Sequence, residues 1–138
     1  MENITIAQSL EGLSGFAVNF LSAAVLTGLF ILIYIRITPF AEFRMIHEGK
    51  IAPAISFSGA LFGFITPLAS AITHSVSFLD MLVWSLVALL VQTVVFLALR
   101  TFFHGLCRQI AENEPAPAIL LGSISLAAGI LSAACMVY

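Results

Sequence analysis

Charged residues cut this chain into four long apolar runs. Between Glu11 and Arg36 lie 24 uncharged residues, between Lys50 and Asp80 29, between Asp80 and Arg100 19, and after Glu114 another 24. A helix needs about 20 apolar residues to cross a bilayer, so each run suits one crossing. Backbone polar groups inside lipid must be bonded internally, and the runs lack the apolar–polar alternation of membrane β-strands. The pattern therefore predicts four transmembrane helices, near 15–36, 52–73, 80–100 and 116–137. Residues 1–14 are expected to form a short tail outside the membrane. With Glu2 and Glu11 and no basic residue, this tail does not resemble a cleaved secretory signal.

Composition strengthens the membrane assignment. Of 138 residues 61% are apolar and 9% charged, against roughly 25% charged in a soluble domain. Mean hydropathy is +1.12. Twelve charged side chains cannot cover a soluble surface of this size. A net charge of −2, without a lysine–arginine stripe, excludes a nucleic-acid binder.

The placement of the few charges adds an orientation. Arg36, Arg44 and Lys50 lie in or beside the loop between the first and second helices. Arg100 and Arg108 lie in or beside the loop between the third and fourth. Lysine and arginine collect in cytoplasmic loops, so these two loops are expected inside and both termini outside, which is the periplasm if the membrane is the bacterial inner one. Cys107 and Cys135 then fall on opposite sides of the membrane, and no intrachain bridge is expected.

The chain also resembles itself at a shift of 64 residues. Arg36 falls on Arg100, Arg44 on Arg108, Ile46 on Ile110 and Glu48 on Glu112. Ala52-Pro53-Ala54-Ile55 falls on Ala116-Pro117-Ala118-Ile119, giving eight identities in the 20 positions 36–55. The expected fold is thus an all-α membrane protein whose four transmembrane helices form a tandem parallel repeat of two helical hairpins, 15–73 and 80–138. Each unit crosses twice, so the units share one orientation and are related by an axis along the membrane normal.

The second and fourth helices differ in composition from the others. Gly, Ala, Ser and Thr occupy 12 of the 22 positions 52–73 and 11 of the 22 positions 116–137, but 7 of 22 and 4 of 21 in the first and third helices. Small residues let helices approach closely in lipid. Gly59 and Gly63 form a GxxxG step, and Ser125, Gly129 and Ala133 a matching ladder. These helices are expected at the centre, although the same surfaces would also suit contacts between protomers. Gln92, near mid-bilayer beside Thr93, is expected to bond helices together through hydroxyls such as Ser58 or Ser125, or else to line a polar path. Pro67, after Thr66, is expected to kink the second helix. At the inner loops, Arg36 and Arg100 either snorkel to the interface or pair with Glu48 and Glu112 in a symmetric belt. Arg44 and Arg108 complete this candidate interaction surface.

Nothing in the sequence points to chemistry. His47, His74 and His104 share no metal-like spacing, and no charged residue is predicted deep within a helix. No nucleophile–base pair or phosphate loop is present, so neither enzymatic activity nor a cofactor is expected.

Several blocks carry a resemblance. Thr38-Pro39, Ser56-Phe57-Ser58-Gly59-Ala60-Leu61-Phe62-Gly63, Pro67-Leu68-Ala69-Ser70-Ala71 and Ala133-Ala134-Cys135-Met136 resemble the bacterial YjfL family, small inner-membrane proteins carrying a domain of unknown function. The resemblance runs from about Phe20 to the end of the chain. It implies a four-helix protein of a Gram-negative inner membrane and supplies no catalytic or binding residues. Family members are often encoded near cytoplasmic proteins resembling phage-shock protein A and ATP-grasp ligases, which implies envelope-stress work by association. Two roles follow as expectations. One is a membrane scaffold docking a cytoplasmic partner protein or lipid through the inner loops. The other is an oligomeric pore or transport subunit for ions or small solutes, which four helices can build only as a homo-oligomer.

Overall fold

In a computed structural model the described residues are 6–38 and 42–136. Positions 1–5 of the expected tail, Pro39 of the resemblance and Val137 at the expected end of the fourth helix lie outside them. Six helices follow in order: α1 (Ile6–Ile37), α2 (Glu42–His47), α3 (Ile51–His74), α4 (Phe78–Phe102), α5 (Leu106–Ala111) and α6 (Pro115–Cys135). Four of them, α1, α3, α4 and α6, are long and apolar enough to cross a membrane.

Two features depart from the sequence expectation. Helix α1 begins at Ile6 rather than near Gly15, so much of the expected tail is helical. The expected start marked where the hydrocarbon ends, but a helix need not stop there. Ala7, Gln8, Leu10 and Glu11 are good helix formers and continue it. The loops after the first and third expected helices also each fold a six-residue helix, α2 or α5, which the hydropathy pattern does not mark.

Local chemistry sets the ends. Gly49 and Asn113 take positive φ of 87° and 64° just after α2 and α5. Each lets the next N–H reach back five residues, Lys50 to the Met45 carbonyl and Glu114 to the Gln109 carbonyl, both at 3.0 Å. This left-handed cap satisfies carbonyls that the short helices would otherwise leave open. Pro53 and Pro117 sit in the first turns of α3 and α6, where a missing N–H costs nothing. Between α3 and α4, the Ser77 hydroxyl accepts from Asp80 N–H, and the Asp80 carboxylate accepts from Val76 N–H, both at 3.2 Å. This reciprocal cap permits a three-residue turn.

Helix α3 is the hub, touching every other helix in the described fold. Its buried residues include Ala52, Ser56, Ala60, Gly63, Phe64, Pro67, Leu68 and Ala71, mostly small, with Phe64 and Leu68 the large ones. Phe64 stacks on Phe30 of α1 at 4.8 Å between ring centroids. Tyr34, also on α1, is edge-on to Phe57 of α3 and Phe96 of α4, each at 5.6 Å. Helix α1 is thereby held at its C-terminal half, through Leu26, Phe30 and Tyr34. Its N-terminal half is exposed.

Candidate functional site

The structural centre lies where α3, α4 and α6 meet at mid-height. Helices α3 and α6 approach until their backbones touch, and glycines make this possible. A Cβ added to Gly59 would meet the Gly122 backbone, 2.5 Å from its carbonyl oxygen. One on Gly63 would lie 2.8 Å from the Ser125 carbonyl carbon, and one on Gly129 2.6 Å from Gly63 Cα. Real side chains do not tolerate contacts this short. The small-residue faces of the second and fourth expected helices therefore meet within the chain.

Gln92 of α4 reaches into this seam. Its Nε2 donates to the Gly63 carbonyl at 2.9 Å and to the Ser125 carbonyl at 3.1 Å. The side chain is only 4% exposed. The first bond has a local cause. In an α-helix the Gly63 carbonyl would accept from the N–H of residue 67, and that residue is proline, which has none. Gln92 supplies the donor that Pro67 withholds. Gly63 has no side chain to cover its carbonyl, so the amide can approach. The expected hydroxyl partners do not serve: Ser58 is exposed, and Ser125 contributes its carbonyl. Helix α3 continues as an α-helix through Pro67.

Beside this junction is a cavity of about 10 Å³, bordered by Tyr34, Gln92, Thr93, Phe96 and Ser125. That is room for about one water molecule. Thr93 turns its hydroxyl back to the Leu89 carbonyl at 2.9 Å.

The second candidate surface is formed by α2 and α5. Met45 of α2 and Leu106, Cys107 and Ile110 of α5 are buried, while Arg44, His47 and Arg108 are exposed. The short helices thus present an apolar side to the bundle and a polar side outward. The Asn113 side-chain oxygen accepts from Ala52 N–H at 3.0 Å, tying the end of α5 to the start of α3. Arg36 and Arg100 are exposed at the ends of α1 and α4, and Arg100 donates to the Ile37 carbonyl at 3.2 Å.

The arginine–carboxylate belt does not form. Among the described residues Glu48 pairs with Lys50 at 3.9 Å and Glu112 with Arg108 at 4.0 Å, not with Arg36 and Arg100. Sequence proximity explains this, since Arg108 is one helical turn before Glu112 and Lys50 two residues after Glu48. Both pairs are largely exposed and add little. Arg108→Gln is accordingly expected to change stability by no more than about 0.5 kcal/mol, measured by equilibrium unfolding in detergent micelles. Cys107 lies beside the start of α6 and Cys135 ends it, roughly 30 Å away by helical rise, too far for a bridge.

The family model described as Domain of Unknown Function (DUF350) matches residues 8–136. The chain belongs to the DUF350 family. Within the span of that match it is similar to the UPF0719 inner membrane protein YjfL of Escherichia coli (strain K12), 34% identical over 129 residues, which cover 94% of this chain and 98% of the relative. The protein of the same name from Escherichia coli O157:H7 matches equally. No solved structure matches the chain. The family description assigns no activity, so the geometry alone speaks to what DUF350 residues do in this chain. Gln92 and the Gly63 carbonyl freed by Pro67 form one polar unit at mid-height of the long helices, and the basic residues of α2 and α5 form a separate outward face. Gln92 and Pro67 each stood out in the sequence, as an isolated amide and an isolated proline in apolar runs, but nothing there linked the two through the Gly63 carbonyl. The burial of Met45 and Ile110 had only the weak signal of two short amphipathic stretches.

Proposed function

We propose that this inner-membrane protein is a non-enzymatic scaffold that docks a cytoplasmic partner protein through α2 and α5. The observation that carries the reading is the pinning of both short helices by buried apolar residues, with Arg44, His47 and Arg108 exposed. A surface held this rigidly is preorganised for binding. Its charge is mixed, since Arg44, Lys50 and Arg108 are interspersed along the sequence with Glu48, Glu112 and Glu114. That mixture suits a protein partner better than anionic headgroups, which reward unbroken basic clusters.

The scaffold is a tandem parallel repeat in this reading. Helices α2 and α5 have equal length and begin 64 residues apart, and the starts of α3 and α6 are separated by the same 64 residues. Gly49 and Asn113, which close the two short helices with the same left-handed cap, have the same separation. By the distribution of basic residues, the α2/α5 face is cytoplasmic and both termini periplasmic. The water-sized cavity favours packing over conduction, so a pore would have to form between copies.

The test is affinity capture from membranes solubilised in mild detergent, with wild type and an Arg44→Gln/Arg108→Gln variant. A cytoplasmic protein is expected with wild type and strongly reduced with the variant, at equal levels of folded bait. Capture of no cytoplasmic protein by either, or equal capture by both, overturns the reading.

A further inference from the structure

We propose that two copies of this chain pair in parallel through an outward stripe of α1. Helix α1 has 32 residues and is roughly 48 Å long, well beyond the ~30 Å hydrocarbon layer. Counting about 20 residues back from Arg36 puts the far lipid boundary near Phe16. Ser14, Gly15, Val18 and Asn19 stand level with the α3–α4 turn, with which they share a surface depression. Residues 6–13 therefore rise about 12 Å past the bundle, and every one of them is exposed.

This projecting segment is amphipathic, and its apolar side does not face its own bundle. Ile6, Leu10, Leu13, Ala17, Phe20 and Ala24 recur at alternating steps of four and three, and all six are exposed. At 100° per residue, the stripe lies about 120° around the helix from the face that buries Leu26, Phe30 and Tyr34. Lipid tails can cover the stripe from Ala17 inward. They do not reach Ile6 and Leu10, whose relative exposures are 80% and 58%.

The stripe has the spacing of a coiled-coil seam. In a parallel pair each seam residue meets its own copy, so a charge there would repel itself. With Leu10, Ala17 and Ala24 at a and Ile6, Leu13 and Phe20 at d, no charged residue falls at a, d, e or g between 6 and 24. Gln8, Glu11 and Asn19 all fall at b, c or f. Copies inserted in the same direction hold α1 parallel, as this seam requires. Further along α1, the same side faces an apolar groove of about 460 Å³ between α1 and α3, bordered by Ala24, Ile31, Ile65 and Leu68. The seam thus continues from water into lipid as an apolar face, which fits a second copy of α1 as its occupant.

Two measurements test this. One cysteine at a time is placed on the stripe (Leu10→Cys, Leu13→Cys) or off it (Gln8→Cys, Glu11→Cys) in full-length Cys135→Ser protein, whose remaining Cys107 is buried, and the membranes are oxidised. Disulfide-linked dimers are expected several-fold more often from the stripe positions. Equal yields on and off the stripe, or no linked dimers, overturn the proposal. Separately, the mass of protein in lipid nanodiscs is measured for wild type and for Leu10→Glu/Leu13→Glu. Both side chains are exposed, so the variant is expected to keep its helix content and to be monomeric where wild type is dimeric. A monomeric wild type, or a variant that stays dimeric, overturns the proposal as well.

Discussion

Gly129→Ala is expected to destabilise this protein by about 2–3 kcal/mol, the upper part of the range for overpacking. One added methyl group decides this because of what it meets. At Gly129 it would overlap the Gly63 carbonyl and lie 2.6 Å from Gly63 Cα. Backbone cannot swing aside as a flexible side chain can, so α3 and α6 would have to separate along the seam. That separation would also pull Gly63 away from Gln92. Gly63→Ala should behave similarly. Gly122→Ala should cost less, because its nearest obstacle is the Ile55 carbonyl oxygen at 3.0 Å. Gly28→Ala on α1, where nothing lies within 4 Å, should be neutral or slightly stabilising through helix propensity. Reversible unfolding in mixed micelles would rank the four variants, and a Gly129→Ala protein as stable as Gly28→Ala would refute the close-contact account.

Gln92→Leu is expected to cost about 1–2 kcal/mol. Hydrogen bonds between helices in membranes are worth little on average, ~0.6 kcal/mol, with a maximum near 1.7. The upper end applies here because the Gly63 carbonyl has lost its own helical donor to Pro67 and sits where water is scarce. Leaving a buried acceptor unpaired costs ~1–3 kcal/mol. Leucine has nearly the volume of glutamine, so little of the loss comes from a void. The same unfolding assay reads it, and a loss below about 0.3 kcal/mol would mean that the bonds to Gly63 and Ser125 contribute nothing.

The sequence made the crossings legible because charge marks their ends. Runs bounded by Glu11, Arg36, Lys50, Asp80, Arg100 and Glu114 locate all four long helices. The start of α1 was not legible in the same way, since hydropathy reports where lipid ends and not where a helix ends. The central place of α3 and α6 could be read from Gly59, Gly63, Ser125 and Gly129, whose small size has no other evident use. The partners of Gln92 could not. Side-chain inventory suggests hydroxyls, whereas the available acceptor was a backbone carbonyl exposed by a proline one turn away on another helix. Ion pairing failed for a related reason. The 64-residue register aligns Arg36 with Arg100 and Glu48 with Glu112, but it does not bring arginine to glutamate. The exposed carboxylates took the nearest cations, Lys50 and Arg108.

Gln92 replaces the N–H that Pro67 lacks, and a double-mutant cycle measures that link. Unfolding free energies would be compared for wild type, Gln92→Leu, Pro67→Ala and the double variant. With alanine at 67, α3 supplies its own N–H to the Gly63 carbonyl, so losing Gln92 should hurt less. The predicted result is a cost for Gln92→Leu that is about 1 kcal/mol smaller in the Pro67→Ala background. Costs that add within about 0.3–0.5 kcal/mol, as they do for independent sites, would contradict it.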